Sequence, residues 1–147
     1  MQRLTKNTAS VTGNEIGRAS NGGGVYVKGG TFEMHNDASV ADNRVTYENS
    51  CGGGVYVSGG TFTMNGNASV TNNRANGKNG ISGGVYVVDG TFTMNGGSIT
   101  KNTANSTDGG VGVYTATSTT ATFTMKGGTI SGNKATNTDR KNDTNGG

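Results

Sequence analysis

The sequence predicts an all-β protein wound as a parallel β-helix, a solenoid with three short strands in each coil of about thirty residues. Three observations predict this fold: the chain repeats at a fixed period, the repeated segments resemble strands, and the residues between them favour turns. A repeat of this length is typical of solenoids, in which each unit stacks on its neighbour. We expect about four coils after a partial N-terminal coil.

Three short elements recur in the same order in each repeat. The first element, GVYV, begins at Gly24, Gly54 and Gly84, with a degenerate copy at 110–113. The second element, TF(T/E)M, begins at Thr31, Thr61, Thr91 and Thr122. The third element, (S/T)(V/I)xxN, begins at Ser39, Ser69, Ser98 and Thr129, with a partial copy at Ser10.

Each element has the composition of a β-strand. The residues are largely β-branched or aromatic and are bounded by Gly or Asn, and no apolar spacing of three and four residues indicates a helix. In the second element, alternation places Phe62 and Met64 on one face and Thr61 and Thr63 on the other. In the first element, the same rule turns the valines inward and the tyrosine outward.

Glycine pairs and Asn-Gly pairs separate the elements, as at 59–60 and 65–66. These dipeptides accept positive φ and predict sharp turns. Hairpins between three such strands would not preserve the period, so we expect one coil per repeat and parallel pairing between equivalent strands.

Two kinds of side chain are predicted to stack inside the solenoid as structural columns. The asparagine that closes the third element is expected to bond through its amide to the next coil, like rungs of a ladder. The ladder residues are Asn14, Asn43, Asn73, Asn102 and Asn133. The inward aromatic residues are Phe32, Phe62, Phe92 and Phe123.

We expect one β-helix domain over residues 1–147. It comprises a partial coil at 1–20, coils at 21–50, 51–80, 81–106 and 107–136, and a tail at 137–147. The chain begins within a third element and stops where another GGVYV would begin, so we expect a piece of a longer array or a unit that stacks end to end. Projecting loops are predicted at 74–82 and 104–108, with an insertion at 114–121.

Composition argues against several classes of function. The twelve Lys and Arg residues give a net charge of +3 but form no run longer than Arg140–Lys141, whereas nucleic-acid binders cluster their cations beside aromatic residues. Cys51 is alone, which excludes an internal disulfide and a cysteine-based metal site. No apolar run is long enough to span a membrane. We therefore expect no nucleic-acid partner and no membrane span in this chain.

One cluster of ionisable residues has to be considered as a site. Glu33, His35 and Asp37 replace Thr63, Asn65 and Asn67 of the next repeat, with an aspartate at position 42 nearby. These residue types suit a metal or acid–base site, but they equally suit a solvated edge where polar residues exchange freely, which we favour. We predict no catalytic residues, no metal and no cofactor.

Two outward columns are candidates for binding. The threonine column comprises Thr61, Thr63, Thr91, Thr93, Thr122 and Thr124, with Thr31 extending one side. Such regular arrays match ice in β-solenoid antifreeze proteins. The tyrosine column comprises Tyr26, Tyr56 and Tyr86, with Gly112 interrupting it and Tyr114 displaced by one residue. Exposed tyrosines can stack on sugar rings or on a partner protein.

The repeat elements also resemble a known family. GGVYV and (S/T)(V/I)xxN are similar to the paired GGA(I/L/V) and FxxN motifs of the polymorphic outer-membrane adhesins, over about residues 4–134. More broadly, the chain resembles the right-handed β-helix repeats of bacterial surface and autotransporter passenger proteins. It departs from the motifs in having Val at the Ala position, and Val or Ile before xxN. The resemblance implies a right-handed helix and a secreted or surface-displayed stalk.

Three functions follow from these observations. The first is a non-enzymatic structural or adhesive module on a bacterial cell surface or outside the cell. Its partner would be a host or neighbouring-cell protein or glycan, and copies would associate head to tail into an oligomer or filament. The second is ice binding by the threonine face. The third is a carbohydrate-active β-helix enzyme, which the scattered acids disfavour.

Overall fold

The computed structural model describes residues 9–17, 21–78, 80–105, 111–116 and 120–136. Within these ranges the protein is all-β, and each strand pairs in parallel with its equivalent in a neighbouring coil. The coils form a β-solenoid of about four turns with a spacing of about thirty residues. The predicted fold class is confirmed.

The strands form three parallel sheets. Sheet 1 contains β3 (Val25–Val27), β4 (Thr31–Met34), β7 (Val55–Met64), β10 (Val85–Met94), β13 (Val113–Thr115) and β14 (Ala121–Met125). Sheet 2 contains β1 (Ser10–Thr12), β5 (Ser39–Ala41), β8 (Ser69–Thr71), β11 (Ser98–Thr100) and β15 (Thr129–Ser131). Sheet 3 contains β2 (Glu15–Ile16), β6 (Arg44–Val45), β9 (Arg74–Ala75), β12 (Thr103–Ala104) and β16 (Lys134–Ala135).

The first and second sequence elements lie in the same sheet. In two coils they fuse into the ten-residue strands β7 and β10. Gly59 and Gly60 have φ values of 132° and 82°, and the pairing of β7 with β10 shifts register beside them. The glycines therefore make an irregularity within a strand here, not the sharp turn that their sequence predicts.

The third face is built by segments that the sequence patterns did not reveal. Each strand of sheet 3 has only two residues, too few for an alternating pattern to be recognised. The three predicted loops are therefore partly wrong: the loop at 74–82 begins with β9, the loop at 104–108 begins with the last residue of β12, and the insertion at 114–121 begins in β13 and ends at the first residue of β14. Residue 79 of the first loop, 106–108 of the second and 117–119 of the insertion lie outside the described ranges.

A column of left-handed residues separates sheet 2 from sheet 3. The residue after each sheet 2 strand has a φ between 56° and 70° in all five coils. The five are Gly13, Asp42, Asn72, Lys101 and Gly132. This repeated corner sets the direction of the asparagine that follows it.

The main core lies between sheets 1 and 2 and contains the inward valines, phenylalanines and methionines. Val55, Val57, Phe62 and Met64 of β7 are completely buried, and Val70 of β8 packs with them. A smaller cluster under sheet 3 contains Val45, Ala75, Ala104 and Val111. Because these residues repeat in register, each coil covers the apolar surface of the next.

Candidate contact surface and the stacked columns

The five ladder asparagines occupy one column between sheets 2 and 3, and in the four that follow Asn14 the amide oxygen accepts two hydrogen bonds from the preceding coil. The Asn73 Oδ1 atom accepts from the backbone N of Asn43 at 3.0 Å and from its Nδ2 at 3.0 Å. The Asn102 Oδ1 atom accepts the same pair from Asn73 at 2.9 and 3.1 Å. The pattern continues from Asn14 to Asn43 and from Asn102 to Asn133.

In the same four asparagines, the Nδ2 atom also donates a hydrogen bond to a carbonyl of the preceding coil. The Nδ2 atom of Asn73 donates to the Val40 carbonyl at 2.9 Å, and that of Asn102 to the Val70 carbonyl at 3.0 Å. Asn43, Asn73 and Asn102 are completely buried. Their amides are fully engaged, which meets the requirement that buried polar groups be hydrogen-bonded.

The ladder also explains the glycine that opens the first element. A Cβ atom built on Gly54 would lie 2.9 Å from the Asn73 Nδ2 atom and 2.9 Å from a methyl carbon of Val70. Gly24, Gly84 and Gly112 meet the asparagine of their own coil in the same way. The GGVYV and xxN motifs therefore recur together because one leaves the space that the other fills.

The four phenylalanines form a stacked column in the main core. Their ring centroids are 5.4, 4.6 and 4.9 Å apart in order along the column, with interplanar angles of 20°, 11° and 18°. Phe62 and Phe92 are completely buried, and Phe32 and Phe123 at the ends are partly buried. The column therefore contributes to the core, and its two central rings have no surface available to a ligand.

The tyrosines form a second aromatic column, on the outer side of sheet 1, and it has four members. Tyr86 pairs in register with Tyr114, and their ring centroids lie 5.2 Å apart. The expectation that Gly112 interrupts this column is therefore wrong. The fourth copy of the element runs from Gly112 to Thr115, and matching the letters GVGV at 110–113 placed it two residues too early.

The tyrosine column is less exposed than its outward direction predicts. Tyr26 is 52% exposed, but Tyr56 is only 9% exposed, and Tyr86 and Tyr114 are intermediate. Neighbouring rings are 5.3 Å apart and tilted by 57° to 59° along the first three members. Much of the surface of these tyrosine side chains is therefore buried, partly by neighbouring tyrosine rings and partly by adjacent segments of the chain.

This partial burial affects the phenol groups. Burial raises the pKa of Tyr86 to about 12, with further increases from the neighbouring Cys51, Tyr56 and Tyr114. Burial likewise raises the pKa of Tyr56. Both phenols stay neutral at physiological pH, so the column presents hydroxyl groups and ring edges rather than charge.

The threonine columns lie along the same sheet. Thr61 pairs in register with Thr91, and Thr63 with Thr93. The columns continue to Thr122 and Thr124 in β14, and Thr31 extends one of them in β4. Thr61, Thr63, Thr91 and Thr93 are half-buried by their neighbours, while Thr31, Thr122 and Thr124 are exposed. Glu33 occupies the remaining position in β4.

Sheet 1 therefore carries both outward columns predicted from the sequence. Each ten-residue strand places a tyrosine near one end and two threonines near the other, as in Tyr56, Thr61 and Thr63 of β7. We call this outer side of sheet 1 the tyrosine–threonine face. Its chemistry is neutral hydroxyls and aromatic rings repeated once per coil.

The ionisable cluster of the first coil is only partly assembled. The Nε2 atom of His35 lies 2.8 Å from the Glu33 Oε2 atom, and both side chains are 50% exposed. Asp37 instead accepts a hydrogen bond from the Nδ2 atom of Asn67 at 3.3 Å. No group of three His, Cys, Asp or Glu residues suited to a metal occurs within the described ranges.

Cys51 is buried beside the tyrosine column, and its thiol is free. Its backbone N donates to the Asn21 Oδ1 atom of the preceding coil at 2.8 Å. Burial raises the pKa of the thiol, although a hydrogen bond from the Ile81 backbone opposes this. A buried thiol with a raised pKa is a poor nucleophile.

Sequence analysis missed one group of residues that the solenoid brings together. Arg44 and Arg74 are thirty residues apart and appear scattered in the sequence, but they pair in register in sheet 3. Alignment of the repeats would have revealed them, because both residues directly follow the ladder asparagine.

Comparison of the chain with protein-family models, with curated proteins and with solved structures finds no match. The likeness to the polymorphic outer-membrane adhesins thus depends on the repeat motifs alone. Over the described ranges, no helix has the length and apolar character needed to cross a membrane.

Proposed function

We propose that this protein is a non-enzymatic surface module, a rigid β-solenoid that presents the tyrosine–threonine face and its loops to a protein or glycan outside the cell. One observation carries the proposal. The parallel register repeats the same outward side chains coil after coil, as for Tyr56 with Tyr86 and Thr63 with Thr93. A partner with repeated units can contact several equivalent groups at once, which raises avidity without strong individual contacts.

The interior supports this proposal because it is specialised for rigidity. The asparagine ladder and the phenylalanine column bind successive coils together through buried groups. Neutral aromatic and hydroxyl side chains on the outside suit contacts with sugars and proteins. Catalysis is not part of the proposed function, and we expect no release of reducing or unsaturated sugar ends from polysaccharides, with Glu33→Gln as the control for that assay.

Binding of the purified chain to arrays of glycans and extracellular-matrix proteins tests the proposal. We expect saturable binding to at least one neutral ligand, weakened by Tyr26→Ala, because Tyr26 is the most exposed member of its column. Tyr47→Ala is the matched control, since Tyr47 is 46% exposed but outside the column. Absence of binding, or binding unaffected by Tyr26→Ala, would contradict a role for the tyrosine–threonine face.

Ice binding is a second candidate function, favoured by the register of the threonines. Thr61, Thr91 and Thr122 align across three coils, and so do Thr63, Thr93 and Thr124. Alternate residues in a strand are about 7 Å apart and coils about 4.8 Å apart, which gives a regular two-dimensional array of hydroxyl and methyl groups.

Thermal hysteresis separates this candidate from the first. If the threonine columns bind ice, the wild-type chain shapes ice crystals, and Thr93→Lys abolishes the effect because a long charged side chain disrupts the array. Ser98→Lys on sheet 2 is the control with the same change in charge. No hysteresis in the wild-type chain removes ice binding from consideration.

A further inference from the structure

The outer side of sheet 3 carries positive charge that is concentrated by the winding of the chain. Its outward positions follow one another as Glu15, Arg44, Arg74, Thr103 and Lys134. The inward partners in the same strands are Val45, Ala75 and Ala104, which are buried. Arg44, Arg74 and Lys134 therefore point outward, and all three are exposed.

In one coil the outward position of sheet 3 is the neutral Thr103, and the nearest cation of that coil is in the column of left-handed corner residues. Lys101 is exposed and occupies the left-handed corner two residues before Thr103. Four consecutive coils therefore each contribute one cation along one side of the solenoid. We call Arg44, Arg74, Lys101 and Lys134 the basic column. Arg44 and Arg74 lie in adjacent paired strands, which are usually about 4.8 Å apart, and Lys134 lies two strands beyond Arg74.

No member of the basic column forms an ion pair within 4.0 Å among the described residues, although Glu15 pairs in register with Arg44 and is the nearest acid along the column. The one close contact between basic and acidic side chains found there joins His35 to Glu33, in the first coil. Asp42, the acid nearest in sequence to Arg44, accepts a hydrogen bond from the Nδ2 atom of Asn72. Like charges that face each other across paired strands are destabilising, so Arg44 and Arg74 are stacked at a cost to the fold.

A cleft lies where the two arginines meet the corner column. It has a volume of about 260 Å³ and is lined by Asp42, Asn43, Arg44, Asn72 and Arg74. The two guanidinium groups supply planar, forked donors that suit carboxylate and sulfate oxygens. The chemistry of the cleft is therefore that of an anion site, extended along the solenoid by Lys101 and Lys134.

From this arrangement we infer that the basic column binds a linear acidic polysaccharide, whose carboxylate or sulfate groups lie along the solenoid axis. Charge complementarity identifies the class of ligand, and the repetition of one cation per coil along this side suits a chain with repeated negative charges. A nucleic acid is less suited, because its binders add a series of aromatic side chains for successive bases. The described residues of sheet 3 include no aromatic residue. The inference goes beyond the proposed tyrosine–threonine face, because it places an acidic glycan on a different side of the solenoid.

Fluorescence anisotropy with labelled oligosaccharides tests the inference. The probes are a heparin fragment, which is sulfated, a polygalacturonate oligomer, which is carboxylated, and neutral dextran and oligo(dT) for comparison. We expect binding to the sulfated or the carboxylated probe at about 50 mM salt that weakens steeply by about 200 mM, because bound cations release counterions. Neutral dextran should not bind at this face.

The decisive comparison is between two double variants with the same change in net charge. R44Q/R74Q should weaken binding to the acidic probe roughly tenfold or more, since two charge-assisted contacts are lost. K28Q/K126Q removes two exposed lysines that lie beside sheet 1, and should change affinity by no more than about twofold because those charges are screened. D42N should strengthen binding. Circular dichroism of each variant verifies that the solenoid is intact.

Three results would overturn the inference: no binding to either acidic probe at low salt, equal weakening by both double variants, or tighter binding to oligo(dT) than to the glycans. The proposed surface function and the inference about the basic column can be tested independently of each other. Binding of a neutral ligand that is lost in Tyr26→Ala, with no acidic-glycan binding, would support the surface module and refute the basic column as its glycan site.

Discussion

The Asn43 and Asn73 side chains lie one above the other with no exposure to solvent, and the Asn43 Nδ2 atom donates to the Asn73 Oδ1 atom at 3.0 Å. The same oxygen accepts the Asn43 backbone N–H at 3.0 Å. Each such pair links two adjacent coils by hydrogen bonds at the corner between sheets 2 and 3. The stability of the solenoid therefore depends on polar groups inside it as well as on its apolar core.

Replacing Asn73 by Ala tests the ladder. The change removes the acceptor for two Asn43 donors and the donor for the Val40 carbonyl, all in a buried environment. We expect the free energy of unfolding to fall by about 3 kcal/mol or more, because unsatisfied buried groups cost about 1–3 kcal/mol each. Asn76→Ala, at an exposed position nearby, is the control and should change stability by less than about 0.5 kcal/mol. Urea denaturation measures both.

Gly54→Ala tests the fit between the first element and the ladder. The added methyl group would lie 2.9 Å from the Asn73 amide nitrogen and from Val70. We expect a loss of about 1–3 kcal/mol from overpacking. Gly29→Ala is the matched control, because a Cβ atom there meets nothing within 4 Å. Equal effects of the two substitutions in thermal unfolding would mean that the glycine has no packing role.

Phe62→Ala tests the aromatic column. Phe62 is completely buried and stacks on both Phe32 and Phe92. Its loss should lower the free energy of unfolding by about 3–5 kcal/mol, the usual cost of a large core cavity. Phe32→Ala, at the partly buried end of the column, should cost less. A smaller loss for Phe62→Ala than for Phe32→Ala in denaturant titrations would contradict this order of burial.

The raised pKa of Tyr86, about 12, gives stability a pH dependence in the alkaline range. An unfolded tyrosine ionises near pH 10, whereas the folded chain keeps the Tyr86 proton until about pH 12. The unfolded state therefore holds fewer protons in this window, and stability falls as pH rises from about 10 to 12. Below about pH 10 this contribution is fully present and does not vary with pH. Tyr86→Phe should flatten the decline, measured as unfolding free energy against pH.

The sequence was sufficient for the period, the parallel stacking and the direction of most side chains. Phe62 and Met64 alternate with Thr61 and Thr63 over a strand long enough for the pattern to be read. Sheet 3 was missed because two residues such as Arg74 and Ala75 cannot show alternation.

Contacts between distant parts of the chain were harder to predict. Alternation gives the outward direction of Tyr56 but not its 9% exposure, which depends on how adjacent rings and chain segments pack around it. Arg44 and Arg74 appeared to be isolated cations because their proximity exists only after the chain is wound. The register of Tyr114 required the length of its coil, which letter matching did not provide.

Each thirty-residue unit winds once around the solenoid axis and places equivalent residues above one another. Spin-label distances along one threonine column measure this stacking, in a Cys51→Ser background with Cys pairs at Thr31 and Thr61, Thr31 and Thr91, or Thr31 and Thr122. We expect the distance to rise by about 4.8 Å with each added coil. Distances that do not increase steadily along the series, as hairpin or antiparallel pairing would give, would contradict it.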